Sequence, residues 1–559
     1  MLRLLIDSIG IAKGDYVNCS VNKAIAQAVV ENNLNTMFGL LGDANLFMAQ
    51  SFVDDCGGRF VAATHEAGAV LMALGHALIT GKTGLASVTH GPGLSNTLTA
   101  LIDGVKGRIP LLLLCGDTAA EARDHFQNVN QRELVLATGA GFVQVRSAAT
   151  VVEDLLQALR AAHLERRPVV LNIPADLGWE TCSYVPSLAH YGYQGPFKSA
   201  GEQLDNAIGI IAAARSPIVL AGRGAIAAES EAALLRLAER TGALLATTLK
   251  GKGLFHGDDY NLGVFGGLST PVANELILQS DCVIAFGASL NKWTSANGSL
   301  LAGKRVIQCN LEPGDLGVHC SPDAVLMGDP VSTVSEILYW LDEAEIPASA
   351  FRSEEIRQQI ASCDTFAGLA NTATQDTVDL TRSLLRLNEV IPGDRIVVTD
   401  IGRFVGQAWK ALDVTRPGSF IHTVNFGSIG LGPGYAIGAS IGSPDRPTVL
   451  VVGDGGFMLG GVAEFHTAVR EGADLIVIVC NDGSYGSEHV QYEARNISRE
   501  LSLFGWPEFS ELARSLGGSG VAVRNLAELE LACQAVSDRH GPLLIDLKLD
   551  PTTMIPLDY

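Results

Sequence analysis

Nothing in the sequence is long and apolar enough to cross a bilayer: the longest apolar runs are strand-length stretches such as Leu111 to Cys115, far short of the ~20 residues needed. Positive charge is scarce as well. Lys and Arg number 39 against 60 Asp and Glu, a net charge of −21 spread without long like-charge blocks. That balance excludes nucleic acid and anionic membrane surfaces as natural partners. The first residues, MLRLLIDSIGIAKGDY, hold too short an apolar stretch, interrupted by Asp7, for a signal peptide. None of the 10 cysteines forms a CxxC pair, and Cys115, Cys282, Cys309 and Cys480 fall in or at the end of apolar runs. They read as small buried hydrophobes in a reducing compartment, not as zinc ligands or disulfides. Tandem repeats and low-complexity segments are also missing, and a cytoplasmic protein is expected.

What is present, over 559 residues and about three domains' worth of chain, centres on one stretch. The apolar run Thr448 to Val452 stops at Gly453-Asp454-Gly455-Gly456, after which Val462, Phe465, Ala468 and Val469 recur at helical spacing until Gly472. The pattern predicts strand, turn and helix. A second run, Leu475 to Cys480, stops at Asn481-Asp482-Gly483, so two neighbouring parallel strands would deliver Asp454 and Asp482 to one sheet edge. Gly455 and Gly456 let backbone N–H groups approach an anion. Two carboxylates beside such a cradle call for a divalent cation bridging protein and diphosphate, with Mg²⁺ or Ca²⁺ suited to all-oxygen ligation.

Gly-Asp-Gly alone is only a turn. Followed by residues 456–480 and then Asn481-Asp482, it resembles the motif of the thiamin-diphosphate (ThDP) enzymes, Gly-Asp-Gly with Asn-Asn downstream. The resemblance runs over nearly the whole chain, to the family of acetolactate synthase, benzoylformate decarboxylase and pyruvate decarboxylase. It implies an α/β fold of three doubly wound domains with mainly parallel sheets: a pyrimidine-binding domain over 1–178, a central domain over 200–342 and a diphosphate-binding domain over 377–559. A Pro/Gly/Tyr-rich linker and a polar linker would join them. The strand-like runs Met37-Phe38, Phe60 to Ala62, Leu85 to Val88, Leu111 to Cys115 and Val169 to Ile173 alternate with helical stretches and independently predict the first of these sheets.

Carried over residue by residue, the resemblance assigns the metal to Asp454, to Asp482 where the family has Asn, and to the Ser484 carbonyl. It places Gly402, Arg403, Gly427, Ile429, Gly455, Gly456 and Asn481 at the cofactor. Arg403 stands where acetolactate synthases frequently have Gln, and a guanidinium there could pair with phosphate. Ile429 would be the apolar wedge under the V-shaped cofactor that folds its two rings together, and the Gly427 carbonyl would accept from the 4′-amino group. Glu66 opens a small-residue helix, where a Glu also simply offsets the helix dipole; it matches the glutamate that hydrogen-bonds N1′ of the aminopyrimidine. Asp43 matches an aspartate of pyruvate decarboxylases, His90 a histidine of benzoylformate decarboxylase and Glu488 a glutamate of pyruvate decarboxylases. Otherwise Asp43 and His90 read as a turn-forming Asx and a satisfied histidine. Phe126 and Gln127 resemble a pair lining the acetolactate synthase pocket. In the central domain a strand runs into the GxGxxA of Gly222 to Ala227, but no acidic residue follows the next strand, so the dinucleotide signal is weak. Some acetolactate synthases hold FAD there; Gly287-Ala288-Ser289 replaces the Arg common at that point, so FAD is not expected.

The implied chemistry is attack of a cofactor carbanion on a small-molecule 2-oxo acid or related 2-hydroxy-carbonyl compound, loss of CO₂ and an enamine that is either protonated or added to a second carbonyl. Asp43, His90 and Glu488 supply three proton-transfer groups, each typically worth ~10² to 10⁴ in rate. They favour a decarboxylase with possible carboligation over an acetolactate synthase-type carboligase. A non-catalytic ThDP-binding sensor or partner subunit is the reading from another class, and Glu66 argues against it. The resemblance also implies a homodimer or homotetramer with active sites at subunit interfaces.

Overall fold

The computed structural model describes residues 17–119, 121–122, 124–191 and 197–553; the N-terminal stretch bearing on a signal peptide lies outside them. Three six-stranded parallel sheets carry the chain. The first comprises β2 (Thr36–Gly39), β3 (Arg59–Ala62), β4 (Gly84–Val88), β5 (Leu111–Asp117), β6 (Gly141–Gln144) and β7 (Pro168–Pro174). A two-stranded antiparallel ribbon of β1 (Val17–Ser20) and β8 (Thr181–Tyr184) brings the two ends of this domain together. The second sheet comprises β9 (Pro217–Ala221), β10 (Leu244–Thr247), β11 (Asn261–Val264), β12 (Cys282–Phe286), β13 (Arg305–Asn310) and β14 (Ala324–Met327). The third comprises β15 (Ile396–Thr399), β16 (Phe420–His422), β17 (Thr448–Gly453), β18 (Leu475–Asn481), β19 (Ser519–Val523) and β20 (Leu543–Lys548).

The first and third sheets share a strand order. They run β3-β2-β4-β5-β7-β6 and β16-β15-β17-β18-β20-β19, both 2-1-3-4-6-5 when strands are counted within the domain; the central sheet runs β11-β10-β9-β12-β13-β14, or 3-2-1-4-5-6. The strands foreseen from apolar runs, among them β4, β5, β9, β17 and β18, are buried along almost their whole length, as helices covering both faces of a parallel sheet require. Those without such a signal include the edge strands β6, β11, β14, β16 and β19. In β13, Gln308 and Asn310 interrupt the apolar run.

Two glycine-rich helices join the first and third domains. Glu66–Thr80 packs on Gly432–Gly442 so closely that a Cβ on Gly75 would lie 2.1 Å from the Tyr435 carbonyl oxygen, and one on Gly438 1.8 Å from that of Met72. Val70, Met72, Leu74, Tyr435 and Ala436 are buried in one continuous core spanning both domains. Across the same boundary Arg59 pairs with Glu471 at 2.7 Å. Glu464, itself buried, accepts from the backbone N–H of Thr64 (3.2 Å) and His65 (3.1 Å), just ahead of Glu66.

In the central domain the GxGxxA glycines serve packing: Cβ atoms on Gly222 and Gly224 would meet the Gly287 carbonyl oxygen at 2.2 Å and the Gly287 Cα at 2.7 Å. The polar segment expected as a linker carries a helix, Glu354–Ala361, laid against Pro271–Gln279. The cysteines are free, and burial pushes the Cys282 thiol up to about 12. Among the described residues no helix is long and apolar enough to cross a membrane.

Candidate active site

Strands β17 and β18 are adjacent and in register, so Asp454, immediately after β17, and Asp482, immediately after β18, reach the same sheet edge. They open onto a cavity of 540 Å³ at the carboxyl ends of the strands, where ligands of open α/β sheets bind. Gly402, Arg403, Gly427, Ile429, Gly455, Gly456, Ser484 and Glu488 line it too. Asn481 does not. Its Nδ2 donates to Asp546 Oδ1 at 2.8 Å and its Oδ1 accepts from the Gly483 N–H at 3.3 Å, so it acts from beneath the turn.

The acidic pair is held by backbone. Asp454 Oδ1 and Oδ2 accept from the N–H groups of Gly455 (2.6 Å) and Gly483 (2.7 Å). Burial, reinforced by the Asp482 charge, nevertheless pushes Asp454 up to about 7. Asp482 Oδ1 accepts from Ser484 N–H at 3.0 Å and Ser484 Oγ at 2.7 Å, while its Oδ2 meets an Arg403 Nη at 3.0 Å. A hard divalent cation fits this donor chemistry: two carboxylates on one cavity wall beside a serine turn. Among the described residues no cluster of three or more His, Cys, Asp or Glu is arranged for a metal, so such a cation would need a neutral oxygen in addition to these carboxylates. Gly455 and Gly456 are required by their neighbours, since Cβ atoms there would fall 2.3 Å from the Tyr485 ring and 2.8 Å from Asp400 Oδ2.

The loop of Gly427 and Ile429 is pinned by two acids that the sequence did not single out. Asp400, fully buried at the end of β15, accepts from the Gly430 N–H at 2.7 Å, and burial pushes its carboxyl up to about 6. Asp103, also fully buried but on the first domain, accepts from the Phe426 N–H (3.0 Å), Asn425 Nδ2 (3.0 Å) and Tyr435 Oη (2.6 Å). Lys250 of the central domain donates to Asn425 Oδ1 at 2.6 Å, so three domains meet at this loop. Gly427 takes a φ of +85° that suits glycine alone.

The remaining predicted residues lie on the first domain. Glu66 is the first residue of its helix, 8% exposed, with Oε2 accepting from Asn96 Nδ2 at 3.0 Å. Asp43 is exposed and His90 buried; their side chains approach to 3.8 Å, and Thr89 Oγ1 donates to Asp43 Oδ1 at 3.0 Å. His90 Nε2 is buried without a hydrogen-bond partner. The His125 ring lies 5.1 Å from that of His90 and stacks on Phe126, which is 90% exposed. The Gln127 carbonyl oxygen comes within 2.3 Å of where a Cβ on Gly91 would sit, so that segment closes over His90. Asp43, Glu66, His90, Phe126 and Gln127 do not line the cavity of their own chain.

Asn96, Asp103, Asp400 and Glu464 thus join the site. An Asp inside the small-residue helix Leu98–Gly107 is the one signal for Asp103, and a strand-terminal Asp the one for Asp400.

Known proteins resemble the chain throughout. Models of the thiamine pyrophosphate enzyme N-terminal TPP binding domain, central domain and C-terminal TPP binding domain match residues 19–138, 204–337 and 400–547. The acetolactate synthase large subunit of Mycobacterium tuberculosis is 27% identical over 538 residues, covering 94% of this chain and 87% of its own. The large subunit of acetolactate synthase isozyme 2 of Escherichia coli is 27% identical over 535 residues, covering 94% and 95%. A protein of Pseudomonas aeruginosa named "Probable 2-ketoarginine decarboxylase AruI" is 28% identical over 539 residues, covering 95% and 94%. With three domain models matched in order on a fold that sets its paired carboxylates at the diphosphate domain's sheet edge, the chain belongs to the thiamin-diphosphate-dependent enzymes.

Proposed function

We propose that the enzyme decarboxylates a 2-oxo acid, with ThDP and Mg²⁺ bound in the C-terminal cavity, and releases the product by protonation. The observation that carries the choice is the approach of Asp43 to His90, 3.8 Å apart with the imidazole Nε2 buried and unpartnered. Such a carboxylate–imidazole pair can hold and return a proton. ThDP, when bound, supplies the electron sink for CO₂ loss.

The chain's own residues do the rest. Asp454, Asp482 and the Ser484 carbonyl hold the cation; Gly402, Arg403, Gly455 and Gly456 receive the diphosphate; Ile429 and Gly427 support the rings. Glu66, its second oxygen steadied by Asn96, holds the proton at N1′ of the pyrimidine. His90 Nε2 on one wall and Glu488 on the other move protons at the substrate. Phe126 and Gln127 bound the substrate side. No flavin belongs to the proposal, since Gly287-Ala288-Ser289 stands where the resemblance would place an Arg.

The site needs a second copy. Glu66 and His90 are not among the residues lining their own chain's cavity, and exposed apolar side chains are present on both halves: Leu41 and Phe126 on the first domain, Leu459 and Leu501 on the third. A homodimer or homotetramer with each site shared between subunits belongs to the proposal, as does a cytoplasmic location. Acetolactate synthase-type carboligation is the second reading, favoured by the relatives carrying that name. A panel of 2-oxo acids with Mg²⁺ and ThDP, analysed for CO₂ and products, tests the order. Aldehydes are expected, and acetolactate as the main product from pyruvate would reverse it.

A further inference from the structure

We propose that Arg403 and Asp482 form one charge unit that sets how strongly the C-terminal cavity takes a divalent cation. The proposal rests on the assignment of Asp454 and Asp482 as cation ligands. Every oxygen of Asp482 is already engaged: Oδ1 by Ser484 N–H and Oγ, Oδ2 by the Arg403 guanidinium at 3.0 Å. The ion pair is built in, not a chance surface contact. The two side chains are 6% and 12% exposed, a second Arg403 Nη donates to the Pro551 carbonyl at 3.3 Å, and the chain gives way at Gly486. A Cβ there would press within 3.2 Å of Asp482 Oδ2 and 3.3 Å of Arg403 Cβ and Nε. Solvent screens such a pair less than one on the surface.

Charge arithmetic then decides. Counted as ionised groups, Asp454 and Asp482 contribute two negative charges and Arg403 one positive, so these three leave one net negative charge; Glu488 and Asp550, also on the lining, add the same amount in every variant. A wall with Asn at 482 and Gln at 403 would carry the same. Asp482 and Arg403 offset each other, and either alone would not be offset. Before the diphosphate arrives, the guanidinium competes with a cation for Asp482 Oδ2; afterwards the diphosphate offers it another anion. Arg403 therefore keeps the empty site from trapping metal and couples metal entry to the diphosphate.

The test measures Mn²⁺ binding to the full-length protein without ThDP, by the electron paramagnetic resonance of free Mn²⁺, with Mg²⁺ as competitor. Arg403→Gln should bind Mn²⁺ about tenfold more tightly than wild type and Asp482→Asn about tenfold more weakly, while the double variant returns to within about threefold of wild type. Arg403→Lys, which keeps the charge, should stay near wild type. A double variant as weak as Asp482→Asn, or Arg403→Gln no tighter than wild type, would overturn the charge unit. The underlying assignment fails separately: wild type and Asp454→Asn would then bind Mn²⁺ alike, with ThDP present or absent.

Discussion

The first and third domains are the same scaffold with different side chains at its strand ends. Both run their six strands in the order 2-1-3-4-6-5, so each strand end in one has a counterpart in the other. His90, after β4, stands where Asp454 stands after β17, and Asp117, closing β5, stands near the place of Asp482 beyond β18. In the first domain the acid is spent internally: Asp117 Oδ2 accepts from Asn172 Nδ2 at 2.6 Å and its Oδ1 from the Thr118 N–H at 2.8 Å. Asp117 lines a separate cavity of 290 Å³ with no second acid beside it among the described residues, whereas in the third domain two acids share one cavity. Fold alone therefore gives an edge; on the function proposed above, side-chain chemistry makes one edge a proton-handling surface and the other a cation-holding one.

The largest effect should come from destroying what couples the two scaffolds. Gly438→Ala places a methyl 1.8 Å from the Met72 carbonyl and cannot be absorbed without separating the two helices. Loss of folded protein is expected, read by circular dichroism and size-exclusion chromatography; a well-folded variant would show that the contact is not needed. Next, Glu66→Gln should lower CO₂ release by about 10² or more while leaving the fold intact, since the lost group moves a proton. Undiminished turnover would defeat the assignment.

Smaller effects sharpen the comparison. Asp103 reaches from the first domain to the Phe426 and Asn425 end of the third domain's loop, and the Asn variant keeps its shape but loses acceptor strength. Asp103→Asn should weaken ThDP binding by about tenfold, as loss of a buried charged acceptor implies, with calorimetry as the check. Smallest is a pH effect. Asp400 is raised from 3.8 to about 6 by burial, so the native state binds its proton more tightly than the unfolded chain. The stability it contributes is fully present below 3.8 and is lost as pH rises through about 6. Asp400→Asn should thus gain in Tm relative to wild type between pH 4 and 7; a constant difference across that range would contradict the assignment.

How far the sequence was legible follows from burial and reach. β17 and β18 announced themselves as apolar runs because both faces are covered, and the turns after them put Asp454 and Asp482 together by adjacency alone. Edge strands such as β6 and β19 are covered less fully and leave a weaker pattern. Glu464 and Asp103 were invisible as site residues because their partners lie hundreds of positions away, Thr64 for one and Asn425 for the other. Asn481, read as touching the cofactor, supports the turn from below through Asp546. GxGxxA, read as a weak dinucleotide signal, has its glycines where strand-end packing on Gly287 leaves no room for a Cβ.

The central claim is that Glu66 of one copy completes the Asp454 cavity of another. Glu66→Gln and Asp454→Asn, each inactive alone, should restore CO₂ release when co-expressed and purified as a mixed oligomer, because one site in each hybrid dimer then holds both wild-type groups. No recovery in a verified hybrid would contradict the account and place the whole site within a single chain.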